Sequence, residues 1–297
     1  MILTARGPFN FAASLAFLRR FPPTAGEQRL TADTLTKAFR VAGQTVLARV
    51  TATEAGLELT PDLDALSDRV RFYLSLDDDL SPFYARADER FAQVVSRLRG
   101  YHQVKFPSPV QNLVWAILCQ RTPMSVASRA KAALVEHVGN EHGAFPDLDQ
   151  LLAIPEERLT TLVKDPRKGA RLHAALRTWG EVSEPFLRDG PYEEVKSFLL
   201  GLPGIGPWSA NFILIRGLGR MDEAPIDNEL KLSTQRVYGQ AYSEHELRAM
   251  AERYGPWQGY WAHYLRVAAK RPRPRAWRTE RPLSPAHIQD RGKEAIL

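Results

Sequence analysis

The residues best equipped for chemistry cluster in one stretch, LPGIGPWSANFILIRG (202–217), and in Asp227 of PIDNEL, 21 residues after Gly206. PYEEVKSFLL reads as a helix, GLPGIG as a very tight turn, and PWSANFILIRG as a second helix. Pro207 suits the first helical turn, where an amide hydrogen has no carbonyl partner. Gly204 and Gly206 allow backbone angles and close approaches that a Cβ obstructs, and Ile205 anchors the turn. Such a turn exposes amides at a helix start, a seat for phosphate that positions a duplex without reading its sequence. A plainer reading stays open: a glycine-rich link between two core helices. The spacing matches neither a dinucleotide fingerprint nor a P-loop, which needs a GK[ST] end. Asp227 falls at the start of a further helix, where aspartate is a favoured N-cap. Beside a pocket mouth and near the hairpin, the same carboxylate could face the sugar of a bound nucleotide.

These residues need a scaffold, and the chain divides into two kinds of pattern. Residues 1–85 read as mixed α/β, with a helix over 9–21 and strands over 45–53 and 56–61. Alternation in RVRFYLSL (69–76) predicts another strand, with Val70, Phe72 and Leu74 on one face. The acidic run 77–79 and Ser81-Pro82 mark a boundary. Beyond it, 89–268 is mostly helical. Phe91, Val94, Val95 and Leu98 are spaced as one apolar helical face. SPVQNLVWAILCQ (108–120) opens with a serine cap and a proline at the first helical position. Further helices are predicted over 126–138, 148–154, 168–179 and 192–200. The expected class is α+β: a mixed domain at 1–85, a helical core at 86–268 containing the hairpin at 193–217, and a basic tail at 269–297.

Charge is concentrated. The chain of 297 residues carries a net +6, and residues 266–281 alone hold seven Lys/Arg against one Glu, so the remainder is neutral. Interleaved prolines and Trp277 make this patch either a polyanion contact or a solvated tail. The single cysteine, Cys119, rules out an internal disulfide framework and a four-cysteine metal site. Its setting, LVWAILCQ, predicts a buried, inert thiol. Seven histidines form no HExxH or close ligand cluster, so no catalytic metal is expected. No apolar run reaches bilayer length, and the N-terminus lacks the order of a secretory signal. A cytoplasmic chain is expected, associated with the nucleoid if bacterial.

LPGIGPWSAN followed by PIDNELK resembles the helix–hairpin–helix DNA glycosylase superfamily. The fuller similarity is to its alkylated-base branch, the 3-methyladenine DNA glycosylase II proteins. HQVKFPSPVQNLVWAILCQRTPMSVASRAKAAL (102–134) resembles the family's early core helices and YGPWQGYWAHYL (254–265) its closing helix. The resemblance extends to about residue 268. It implies that Asp227 is the catalytic carboxylate, stabilising positive charge on the deoxyribose as the base departs. It also makes Trp208, 19 residues before Asp227, the position where strand-cleaving members place a Schiff-base lysine. A tryptophan forms no such adduct, so base removal without strand cleavage is expected.

The target base must leave the duplex, and the resemblance implies an aromatic receiving pocket drawn from Trp208, Phe212, Trp257, Tyr260 and Trp261, each of which also has a core-packing reading. Gln120 and Arg121 begin the turn that would carry the wedge filling the vacated stack. Gly204, Gly206, Lys270 and Arg271 are the expected backbone contacts. Lys231 would meet phosphate or solvent. Arg266 stands where well-known alkylation enzymes carry a base-stacking tryptophan, which turns it toward phosphate or changes the substrate; Gln258 replaces the usual arginine. The hairpin carbonyls would hold a monovalent cation, and no catalytic cofactor is implied. The expected partner is duplex DNA with damaged bases, bound by a monomer. Two alternatives stay open: a noncatalytic duplex-binding module, and a glycosylase for neutral lesions such as hypoxanthine or ethenoadenine.

Overall fold

The computed structural model describes residues 1–270, so Arg271 and the rest of the basic tail lie outside the described residues. Five antiparallel strands form one sheet in the order β1-β5-β4-β3-β2: β1 Ile2–Leu3, β2 Gln28–Leu30, β3 Thr34–Val41, β4 Gln44–Thr53 and β5 Gly56–Thr60. β3 and β4 join through Ala42 and Gly43, both at positive φ (47° and 75°), between the paired Val41 and Gln44. Paired positive angles match the right-handed twist of the strands, as in a two-residue hairpin. Alternate residues face inward, with Leu35 and Phe39 of β3, Ala48 and Val50 of β4, and Leu57 and Leu59 of β5 all buried.

Residues 69–76 are not a strand. They belong to a helix, Asp64–Leu74, closed by Ser75 in the left-handed conformation at φ 59°. Leu66, Val70, Tyr73 and Leu74 are buried, a helical spacing that the short run 69–76 shows too little of to separate from alternation. Phe72, expected on the inner face, is only half-buried. The remaining predicted segments are present as β4, β5 and the helices Phe11–Leu18, Glu89–Leu98, Pro109–Leu118, Met124–Val138, Leu148–Leu152, Pro166–Trp179 and Tyr192–Gly201.

The apolar packing forms two clusters. One joins the sheet to the helices between Val104 and Leu218. The other joins Leu80–Tyr101 to Ile215 and the last helices, up to Leu265. The seam therefore does not follow the boundary drawn at residue 85: the sheet shares its core with most of the helical region. At the centre lies Pro109–Leu118, capped by Ser108 Oγ accepting from Gln111 N, with all ten residues buried. The second hairpin helix, Pro207–Phe212, continues as a π-helical turn, Ile213–Gly217, against it. A Cβ on Gly217 would sit 2.6 Å from Asn112 Oδ1, so this approach requires glycine. No helix among the described residues is long and apolar enough to cross a membrane.

Candidate active site

A cleft of about 230 Å³ opens at the seam between the two clusters. One wall comes from the hairpin helix and its π-turn (Trp208, Asn211, Phe212, Ile215, Arg216), the other from Gly259, His263 and Arg266 of the last helix, Gln258–Lys270. Asp227 and Glu229 stand on its rim. A gap between two packed units is where concave sites form most readily.

Asp227 reaches this rim because three contacts fold the preceding loop onto the last helix. Gly259 N donates to Met221 O at 2.9 Å, and a Cβ on Gly259 would lie 2.7 Å from Met221 Sδ. Arg266 Nη2 donates to Pro225 O at 2.9 Å. Asp227 then caps Asn228–Tyr238, its Oδ1 accepting from Leu230 N at 2.8 Å. Capping and cleft placement thus coexist in one side chain. The same Oδ1 accepts from Arg266 Nη2 at 3.1 Å, so both contacts fall on one oxygen and neither uses Oδ2. The aspartate side chain remains 33% exposed.

Arg266 lines the cleft, but its guanidinium is engaged by the aspartate, with Glu229 at 3.7 Å on the other side. Lys270, largely exposed, pairs with Glu229 at 2.9 Å. Two cations and two carboxylates alternate along the rim and cancel. Lys231, on the helix that Asp227 caps, faces Glu244 at 3.7 Å.

Two of the expected pocket aromatics are present in the cleft. Trp208 is 57% exposed and stacks on Phe212, ring centres 5.4 Å apart and planes 7° from parallel. Phe212 in turn stands edge-on to Phe106 at 5.9 Å, which fixes the stack from behind. Trp257 and Tyr260 do not line the cleft. Trp257 is turned away, its Nε1 donating to Asp79 O at 3.2 Å and its ring under Arg86. Tyr260 is buried, its hydroxyl donating to Asp78, and burial pushes that hydroxyl's pKa well up. Trp261 is wholly buried against Tyr254. The closing helix alternates faces within these few residues, and the aromatic letters fall on the inner one.

The hairpin lies beside this stack. Gly204 is at φ 81°, where L side chains are strained, whereas Gly206 is extended with nothing within 4 Å of an added Cβ. Glycine at 206 therefore keeps an approach open rather than relieving strain. Gln120 Nε2 donates to Gly204 O at 2.6 Å, so its amide is tied to the hairpin and not free to insert into a base stack. Arg121 beside it is exposed and at φ 49°. The turn is held from below by Lys168, which donates to Leu118 O at 2.8 Å and to Thr122 Oγ1. Met124, 48% exposed at the same tip, is an apolar side chain that sequence reading passed over. Cys119 is only half-buried, with burial pushing its thiol up to about 11.

Three cleft residues also escaped the sequence reading because nothing local distinguishes them: Gln103, Arg216 and His263. Arg216 is half-buried, donates to Val104 O at 2.6 Å and lies over Phe17. Burial brings its pKa down to about 10. His263 is held neutral, first by burial and then by the charges of Arg216, Arg266 and Lys270.

No protein-family model matches the chain. It is 25% identical over 207 residues, 65% of its length and 68% of the relative's, to a DNA-3-methyladenine glycosylase of Bacillus subtilis. It is 28% identical over 229 residues to a probable bifunctional transcriptional activator/DNA repair enzyme of Mycobacterium tuberculosis, spanning 71% of this chain but 44% of that one. Among solved structures, a 3-methyladenine DNA glycosylase from Archaeoglobus fulgidus superimposes with a TM-score of 0.74 at 20% identity, covering 91% of this chain and 98% of that one. The chain thus shares the fold of a solved 3-methyladenine DNA glycosylase and is similar in sequence to DNA-3-methyladenine glycosylases, with a hairpin, a capping aspartate and a stacked aromatic pair at one cleft.

Proposed function

We propose that this chain is a DNA glycosylase that hydrolyses the N-glycosidic bond of alkylated purines in duplex DNA and leaves the abasic strand uncut. The supporting observation is the Asp227 carboxylate on the rim of a cleft walled by the Trp208–Phe212 stack. An extruded base would stack on the exposed face of Trp208, since every base offers a π-face and a cleft this size admits one base. As the glycosidic bond lengthens, positive charge grows on the deoxyribose. Asp227, its plane fixed through Oδ1 by the N-cap and Arg266, would meet that charge and orient water with Oδ2. A cationic alkylated purine is already an activated leaving group, so one carboxylate suffices where sugar-cleaving enzymes usually need two.

The amides around Gly204 and Gly206 would hold the strand's phosphate, with Lys270 at the end of the last helix and Arg271, next in sequence, adding positive charge. Arg121 at the tip of the neighbouring turn is the better placed wedge, because Gln120 is bound to Gly204. A monovalent cation at the hairpin suits neutral carbonyl oxygens; those of Leu202 and Gly204 already accept from Ile205 N and Gln120 Nε2, so it would use their second lone pairs. Base removal without strand cleavage is supported by Trp208, which forms no Schiff base, and by a cleft lining that holds no lysine among the described residues.

Duplexes carrying 3-methyladenine, 7-methylguanine, 1-methyladenine, hypoxanthine or 8-oxoguanine test this reading. Strand breaks should require alkali after incubation with the protein. Breaks without alkali and a borohydride-trapped adduct would instead establish a lyase. Tight binding with no released base would leave a noncatalytic duplex-binding module.

A further inference from the structure

Two polar side chains inside the cleft hold atoms that the protein itself does not use. Gln103 is 3% exposed and His263 6%, both line the cleft, and neither Gln103 Oε1 nor His263 Nε2 has a hydrogen-bond partner. Leaving one such buried atom unpaired costs about 1–3 kcal/mol, and folded proteins rarely retain such atoms without a use for them. Two in one cleft, on segments 160 residues apart in sequence, is an arrangement that packing alone does not explain.

The Gln103 backbone and the His263 ring are each held from behind. The Gln103 backbone is clamped on each side, its N–H donating to Tyr260 Oη at 3.4 Å and its carbonyl accepting from Ser75 Oγ. Tyr260 is itself anchored on Asp78, which also receives Lys105 at 2.9 Å. Tyr260, expected to touch the base, thus acts one step behind by fixing the segment that carries Gln103. The His263 ring lies against Tyr101, centres 5.2 Å apart. A carboxamide can present either an acceptor or a donor, and a neutral imidazole nitrogen likewise. The pair therefore offers two chemically adaptable hydrogen-bonding atoms, sealed from water in this state, on residues that line the cleft.

We propose that Gln103 and His263 read the polar edge of the extruded base, so that this site favours lesions retaining an exocyclic amino or oxo group beside a ring nitrogen. Lesions whose edge is closed by an added ring gain only the stacking on Trp208. This selectivity rests on the glycosylase reading above. It also explains how a cleft with few aromatic faces can hold a base: stacking supplies affinity and the polar pair supplies register.

Single-turnover excision of hypoxanthine, 3-methyladenine and 1,N6-ethenoadenine, measured with wild type, Gln103→Met, His263→Phe and His263→Gln, tests the proposal. Gln103→Met and His263→Phe should each slow excision of the open-edged lesions by about 5- to 150-fold, the equivalent of one buried hydrogen bond, and ethenoadenine by far less. His263→Gln, which restores a donor and an acceptor, should recover part of the loss. Because Gln103 Oε1 bonds to nothing in the protein, Gln103→Met should melt no lower than wild type, an outcome that a merely structural glutamine would not give. Equal losses on open and closed edges, or wild-type excision of ethenoadenine alone, would overturn the pair's role. If wild type excised none of the lesions, the function itself would fall, whatever the variants did.

Discussion

Glu27 and Asp227 are both carboxylates held by basic side chains, and their surroundings are opposite. Glu27 accepts from Lys37 of β3 at 3.1 Å, from Lys131 of the Met124–Val138 helix, and from Gln111 Nε2 at 3.0 Å. Both lysine side chains are 3% exposed, and Lys131 also donates to Pro23 O. Burial works to raise the Glu27 pKa, but the two lysines outweigh it and hold the carboxyl below the ordinary glutamate range. Burial also pulls Lys131 down to about 8. Asp227 has one guanidinium, an exposed flank and an oxygen that its holders do not occupy. A sealed carboxylate held by one strand and two helices acts as a joint between them. An open one, fixed through a single oxygen, keeps its other side for a ligand.

The widest separation between the two should come from deleting the sealed charge. Glu27→Gln strands two buried lysines, and loss of one partner from a buried cluster costs about 3–5 kcal/mol. Urea unfolding should show that loss while excision per folded molecule stays at the wild-type rate. The folded pKa of Glu27 lies below its unfolded value, so its contribution is complete above the unfolded value and disappears as pH falls through the folded one. Wild type should therefore lose stability on acidification below the glutamate range, and Glu27→Gln should lose the part of that slope due to this group. A stability change within about 0.5 kcal/mol, the range of an ordinary surface substitution, would show that the cluster is no joint.

Arg266→Ala probes the other side with a smaller effect. Asp227 keeps its N-cap bond to Leu230 but loses the contact that fixes its plane. Excision should slow by roughly 10- to 100-fold, less than the factor of about 10²–10³ lost with a group that itself meets the developing charge, with little change in melting temperature because the pair is partly exposed. Arg266→Lys should restore some of the rate. A large drop in melting temperature with unchanged excision would reverse the comparison, making this pair the structural one.

Much of this was legible in the letters, and the parts that were not share a cause. Ser108-Pro109, the hairpin glycines and Asp227 announce themselves through local geometry, since caps, turns and first helical positions depend on neighbours in sequence. Trp208 and Phe212 are four residues apart, so one helix turn brings their rings together. Trp257 and Tyr260 carried the right chemistry, but Trp257 lies in the short turn before the last helix, turned toward Asp79, and Tyr260 sits on that helix's inner face, packed against Phe83 of Ser81–Ala85. Gln103, Arg216 and His263 meet only across the seam between two apolar clusters, and no periodicity within 20 residues encodes that meeting. The helix at Asp64–Leu74 was misread for the same reason: eight letters fit both periods, and the core chose between them.

The proposed function requires that the charge of Asp227, not its cap, performs the chemistry. Asn is as good an N-cap as Asp, so Asp227→Asn keeps the start of Asn228–Tyr238 and removes the negative charge from the cleft. Single-turnover excision of a 3-methyladenine duplex, with affinity for the same duplex measured in parallel, separates the two roles. Duplex affinity should remain within a few-fold of wild type while the excision rate falls by at least about 10²-fold. An unchanged rate would reduce Asp227 to a helix cap and remove the catalytic account.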